Sequence, residues 1–109
     1  MSNKYGKLVR DKIPEIIKNN GEEPIVRILD DVEYKKELEK KLQEECLEVI
    51  SASGTDRLEE LADLIEVMKA LAKIEAVNIE TILQIAKKKA EKRGAFTKKI
   101  YLESVQEKE

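Results

Sequence analysis

Two acidic pairs are where the sequence could do chemistry: Glu45-Cys-Leu-Glu48 and Glu60-Leu-Ala-Asp63. Residues three apart sit about one turn apart on the same side of a helix. The pairs lie within residues 37–68, which read as two antiparallel helices joined by a tight turn at Ser51-Ala52-Ser53-Gly54. Glu48 and Glu60 each stand six residues from Gly54, and Glu45 and Asp63 each stand nine. A hairpin hinged there brings Glu48 level with Glu60 and Glu45 level with Asp63. At about 1.5 Å of rise per residue, the four carboxylates converge roughly 9 to 14 Å from the turn. Such a cluster repels itself unless a divalent cation neutralises it. Hard oxygen ligands, with no His or Cys among them, suit magnesium or manganese.

The bland alternative is a set of surface carboxylates on solvated helices, ordinary in a chain with 40% charged residues. Helical-wheel positions weigh against it. At about 100° per residue, Leu58, Leu61, Leu64, Ile65, Val67, Met68, Leu71 and Ala72 form a broad apolar arc. Glu60 falls inside that arc, between Val67 and Leu71, and Asp63 lies at its edge. On the preceding helix Glu45 falls between Tyr34 and Leu38, beside Val49, with Glu48 nearer the rim. A carboxylate within an apolar stripe costs several kcal/mol unless it is paired or coordinated.

The elements that position these acids come from a chain of 109 residues, a length that fits one domain. Hydrophobic residues make up 41% and aromatics only 4%, which favours helices packed through Leu, Ile, Val and Ala. The wide arc of the second hairpin helix suggests burial against another subunit, as a homodimer or homotetramer. Net charge is −2 from 21 basic and 23 acidic residues, so no global field points to nucleic acid. The longest apolar run is far short of a membrane span and no signal-peptide core opens the chain, so a cytoplasmic location is expected. Cys46 cannot make an internal disulfide and reads as a small core residue in a reducing compartment. A regulatory thiol is the other reading. No histidine occurs, which removes the usual zinc sites, Ser-His triads, Cys-His pairs and histidine-bound metal phosphohydrolases together.

In chain order, residues 1–4 read as a frayed end. Asp11 can cap a short helix that tolerates Pro14 in its first turn and closes at Gly21, with Ile13, Ile16 and Ile17 inward. Lys7, Arg10 and Lys12 form a candidate anion-binding patch near that helix start; solubility charge is the alternative. Pro24-Ile-Val-Arg27-Ile-Leu29 reads as a brief strand. Asp30 or Asp31 can cap a long helix over about 32–52, and Thr55 or Asp56 the next, to about residue 76. Asn78 caps a last helix, Ile79 to Arg93, stopped by Gly94. On it Lys89 and Arg93 project onto the stripe of Ile79, Ile82, Ile85, Ala86 and Ala90, as phosphate ligands would; Lys87, Lys88 and Lys92 fit a solvated face better. Phe96, Ile100, Leu102 and Val105 alternate like a strand able to pair with residues 25–29, leaving 106–109 as a tail. The expected fold is therefore mainly α, an antiparallel helical bundle with a possible small two-stranded β pair.

Glu44-Glu45-x-x-Glu48 followed by Glu60-x-x-Asp63 resembles the all-α nucleoside-triphosphate pyrophosphohydrolase superfamily, which includes MazG-like enzymes, dimeric dUTP pyrophosphatases and phosphoribosyl-ATP pyrophosphohydrolases. Lys7-Leu-Val-Arg-Asp-Lys-Ile-Pro14 and Lys92-Arg-Gly-Ala-Phe96 are similar to its phosphoribosyl-ATP pyrophosphohydrolase-like house-cleaning branch. The resemblance covers nearly the whole chain and implies Mg²⁺, with Mn²⁺ as a substitute, on Glu45, Glu48, Glu60 and Asp63. Glu44 would assist as a ligand or by orienting water. It also implies cleavage of an α–β phosphoanhydride, with Arg93, Lys89, Lys92, Arg10 and Lys12 on the phosphates. Only eleven residues separate Glu48 from Glu60, which leaves little room for base-reading loops within the hairpin.

Three readings follow. The first is a Mg²⁺-dependent pyrophosphohydrolase of canonical or modified nucleoside triphosphates. The second is a phosphoribosyl-ATP pyrophosphohydrolase of histidine biosynthesis. The third is a non-catalytic helical module whose carboxylates bind a partner or a structural cation.

Overall fold

The computed structural model describes residues 6–108, so the frayed end expected at 1–4 and the last residue of the tail lie outside it. Among the described residues the fold is all-helical: α1 (Ile13–Asn19), α2 (Asp31–Ser51), α3 (Gly54–Ile74) and α4 (Ile79–Arg93). No helix is long and apolar enough to cross a membrane.

Capping chemistry sets most boundaries. The Asp30 side chain accepts from the Glu33 amide at 2.8 Å and starts α2, answering one of the amides that a helix start leaves unpaired. Arg27 forks onto Glu33 at 2.8 and 3.2 Å and ties the incoming segment to that first turn. Asn78 likewise accepts from the Thr81 amide to start α4. Gly21, at φ 86°, closes α1 as expected, with the Glu22 amide reaching back to the Ile17 carbonyl. Gly94, at φ 79°, stops α4.

Two caps differ from expectation. Asp11 does not cap α1: Pro14 belongs in the first turn, so Lys12 takes the cap position and Asp11 falls one residue too early. Neither Thr55 nor Asp56 caps α3, because Gly54 adopts φ 59° and lets the chain re-enter a helix immediately after Ser53. Only Ala52 and Ser53 then separate α2 from α3. Arg57 stitches this corner, donating from Nε to the Val49 and Ala52 carbonyls at 3.2 and 2.9 Å, acceptors that the end of α2 leaves without helical partners.

Helices α2 and α3 pack on one another and α3 meets α4; among the described residues no other pair of helices comes as close. The covered side of α2 runs through Tyr34, Leu38, Leu42, Glu45 and Val49; that of α3 runs through Glu60, Asp63, Leu64, Val67, Met68 and Leu71. Both follow the three-and-four spacing of a helix face. The seam is thin: Leu38, Val67 and Ala72 are the buried apolar residues among those described. Leu58, Leu61 and Ile65, the other side of the α3 arc, remain exposed, because α2 covers only part of an arc wider than one helix can bury. Cys46 is exposed, not a core residue, since it lies one step round the helix from the Glu45 seam position.

The β pair is absent. Residues 23–30 and 94–108 follow extended or turning paths and form no ladder among the described residues. The short β-branched run of the first and the alternation of the second suit strands, but a ladder needs a facing backbone, and neither segment meets the other as a strand. The inward stripe expected on α1 is only half covered, with Ile16 exposed, since no other helix packs on α1.

Asp30→Ala should cost about 1 kcal/mol of stability, the usual effect of losing a side-chain N-cap. Chemical denaturation at fixed protein concentration measures it. A loss below about 0.3 kcal/mol would mean that Arg27 and Glu33 hold the helix start without the cap.

Candidate metal centre

The two-residue corner between α2 and α3 fixes which seam positions face one another. Near the corner the seam turns acidic: Glu45 from α2 faces Glu60 and Asp63 from α3. One carboxylate oxygen from each lies within 4.8 Å of the others, and all three residues are half-buried. Magnesium–oxygen bonds are about 2.1 Å, so opposite ligands of one ion stand roughly 4 Å apart. At least two of the three pairs would be adjacent, about 3 Å apart, so the carboxylates would have to draw in from the 4.8 Å within which they now lie to share one ion.

The other acids of the motif sit differently. Glu48 is exposed and stands outside the trio, although its charge acts on Glu60. Glu44 is exposed and lies 3.9 Å from the Lys41 ammonium. The expected four-carboxylate set is thus three converging groups with Glu48 flanking and Glu44 on the outer face.

The electrostatics match a crowded acidic seam. Partial withdrawal from water, followed by the Asp63 charge, pushes the Glu45 carboxyl above the usual range, while Lys41 opposes the shift. Glu60 is raised as well, by loss of water first and then by Glu48, Asp63 and Glu45. Both groups therefore hold protons at a higher pH than free carboxylates do. The unfolded chain releases those protons earlier, so in the cation-free protein these groups cost stability as pH rises through and above the carboxylate range.

One cation already reaches the cluster. Arg10, from the segment before α1, donates from Nη2 to Asp63 Oδ1 at 2.6 Å across 53 residues of sequence. Sequence reasoning placed Arg10 among phosphate ligands without foreseeing a carboxylate partner; no local pattern announces a contact so distant in the chain. Both side chains remain open to water, so the pair is a weak tie of the surface kind. A divalent ion, with twice the charge and closer approach, can displace it.

The remaining basic candidates are not gathered at the acids. Lys12 is exposed at the start of α1. Lys89, Lys92 and Arg93 are exposed on α4 and form no ion pair among the described residues. Beyond α4 the chain turns at Lys99, whose amide bonds the Phe96 carbonyl at 3.2 Å. This turn wraps Arg93, Phe96, Lys98 and Lys99 around a shallow hollow of about 310 Å³. Lys98 and Lys99 were missed by the sequence reading; their signal was the continuation of the basic run past Gly94.

Because the Glu45 and Glu60 carboxyls are raised above their ordinary range, protons compete with a divalent ion for them as pH falls. Mg²⁺ affinity should fall on going from pH 7.5 to pH 5.5, with proton uptake or release visible as buffer-dependent heats in calorimetry. Affinity unchanged over that interval would place the ion away from these two groups.

The chain is 47% identical over 49 residues to an uncharacterised protein of Mycolicibacterium smegmatis (strain ATCC 700084 / mc(2)155). The match takes in 45% of this chain and 50% of the relative, so the chain spans about half the length of the curated relative it matches. No family model matches the chain. No solved structure matches it.

Proposed function

We propose that this chain is a Mg²⁺-dependent nucleotide pyrophosphohydrolase that splits the α–β anhydride of a canonical or modified nucleoside triphosphate into a monophosphate and pyrophosphate. It works in the cytoplasm as a homodimer or homotetramer, and Mn²⁺ can substitute. The observation that carries this reading is the placing of Glu45, Glu60 and Asp63 in a helix seam where apolar side chains would pack better. Three like charges in the place of apolar packing support a cation between them.

Glu45, Glu60 and Asp63 would hold the ion, with Glu48 flanking them at the rim as a fourth carboxylate. Bound there, magnesium offsets charge on the phosphate oxygens and makes a coordinated water more acidic. Glu44, or Glu48 where it is not a ligand, is solvent-facing and would take a proton from the attacking water. Arg10, once displaced from Asp63, is free to turn its guanidinium to the phosphates. Arg93, Lys89, Lys92 and Lys12 add positive charge from α4 and from the start of α1.

The direct test is a panel of nucleoside triphosphates, modified nucleotides and phosphoribosyl-ATP with Mg²⁺, assayed for pyrophosphate. Turnover confined to phosphoribosyl-ATP would move the reading to histidine biosynthesis. No turnover on any substrate, with a melting temperature unmoved by Mg²⁺, would leave a non-catalytic helical module. Phosphate in place of pyrophosphate would mean another bond is cut.

Glu48→Gln and Asp63→Asn should each lower turnover by roughly 100-fold or more with the helical circular dichroism retained. Near-full turnover in either variant would remove that residue from the site. Arg93→Ala should raise the nucleotide KM more than it weakens Mg²⁺ binding; an unchanged KM would return Arg93 to the solvated face.

A further inference from the structure

A compact chain of 12.5 kDa would expose about 6,200 Å², whereas this one exposes 10556 Å². Its radius of gyration is 19.3 Å, against about 13 Å for a compact chain of this length. The excess is concentrated in places that water serves poorly. In the segment entering α2, Ile25 is 95% and Ile28 94% exposed. In the segment leaving α4, Phe96, Ile100, Tyr101, Leu102 and Val105 are all exposed, Phe96 at 96%.

These two strips share a second deficiency. Among the described residues, no backbone hydrogen bond engages residues 23–29 or 100–108. Each is an extended, β-branched or aromatic run with a free backbone edge, the kind of template that pairs with another strand. Within one chain they do not meet. Beside the first strip, beginning two residues beyond Leu29, an open groove of about 860 Å³ runs between the start of α2 and the end of α3. Val32, Tyr34, Ala70 and Ile74 form its apolar wall and Lys35, Lys36 and Lys73 its rim.

We infer that the two strips are exchanged arms: residues 100–105 of one copy add as a strand to residues 25–29 of a second copy and carry apolar side chains onto the groove beside them. The area supports a second copy as the occupant. Obligate homodimers hide about 2,000 to 5,000 Å² in total, and two chains each with roughly 4,000 Å² of excess surface can supply an interface of that class. The exchange is reciprocal, since each copy offers one arm and one receiving edge. It also accounts for the strand-prone composition of both strips, which have no backbone partner inside the chain. The inference concerns assembly alone and stands whether or not the acidic seam binds a cation.

The test uses the full chain. Hydrogen exchange is followed at residues 25–29 and 100–105 over a protein dilution series, alongside sedimentation. Slow exchange at high concentration that turns fast on dilution, together with a dimer or larger species, is the expected result. Exchange that is slow in a species sedimenting as a monomer would mean pairing within one chain, and fast exchange throughout would mean no pairing; either overturns the exchange, as does a chain that stays monomeric at 100 μM. Ile100→Asp combined with Leu102→Asp lies outside the helical seam, so helical circular dichroism should persist while association weakens by about 100-fold or more. Association as strong as in the parent chain would overturn the inference.

Discussion

Two helices of 21 residues joined by Ala52 and Ser53 have very little freedom in how they lie together. They must run side by side and antiparallel, and their pairing register follows from the link. That constraint sets Glu45 opposite Glu60 and Asp63, and the rest of the local structure accommodates it. Gly54 supplies the one backbone conformation that permits so short a corner. Arg57 answers the carbonyls that the corner leaves bare. Lys41 and Arg10 soften the charge of three neighbouring carboxylates, Lys41 from within the seam and Arg10 from a distant segment. Removing the corner would release the cluster.

The same thin seam explains the surface. Carboxylates occupy seam positions near the corner, so apolar burial between α2 and α3 is confined to a few side chains around Leu38, Val67 and Ala72. A chain with so small a core holds little stability in reserve. Leu58, Leu61 and Ile65 on α3, Leu83 and Ile85 on α4, and the two extended strips all await cover. Burying that surface between copies would supply the missing hydrophobic term, and it would leave the acidic seam free for its own task.

Much of this was readable in the sequence, for reasons that differ by element. Asn78 and Gly94 bound α4 because capping is local chemistry, decided within four residues. The mirrored spacing about Gly54 put Glu45 level with Asp63, since helical rise and period turn residue numbers into positions. It paired Glu60 with Glu48, whereas the structure groups Glu60 with Glu45 and Asp63. Glu48 stands outside the trio and exposed, and the three-residue spacing did not foretell this, since Glu60 and Asp63 share it and both converge. Contacts set by tertiary structure were not legible. Nothing near Arg10 announces Asp63, and the β-branched run at 24–29 and the alternation at 96–105 report strand-prone segments without naming what they pair with. For α4, the wheel gave a basic face but no neighbour.

The account rests on a divalent ion seated between α2 and α3. Crystals grown with Mn²⁺ and measured at the manganese absorption edge test this most directly. The account requires an anomalous peak within about 2.0 to 2.3 Å of oxygens from Glu45, Glu60 and Asp63, with the Arg10 guanidinium moved off Asp63. A seam with no anomalous peak and Arg10 still on Asp63, at millimolar Mn²⁺, would contradict it.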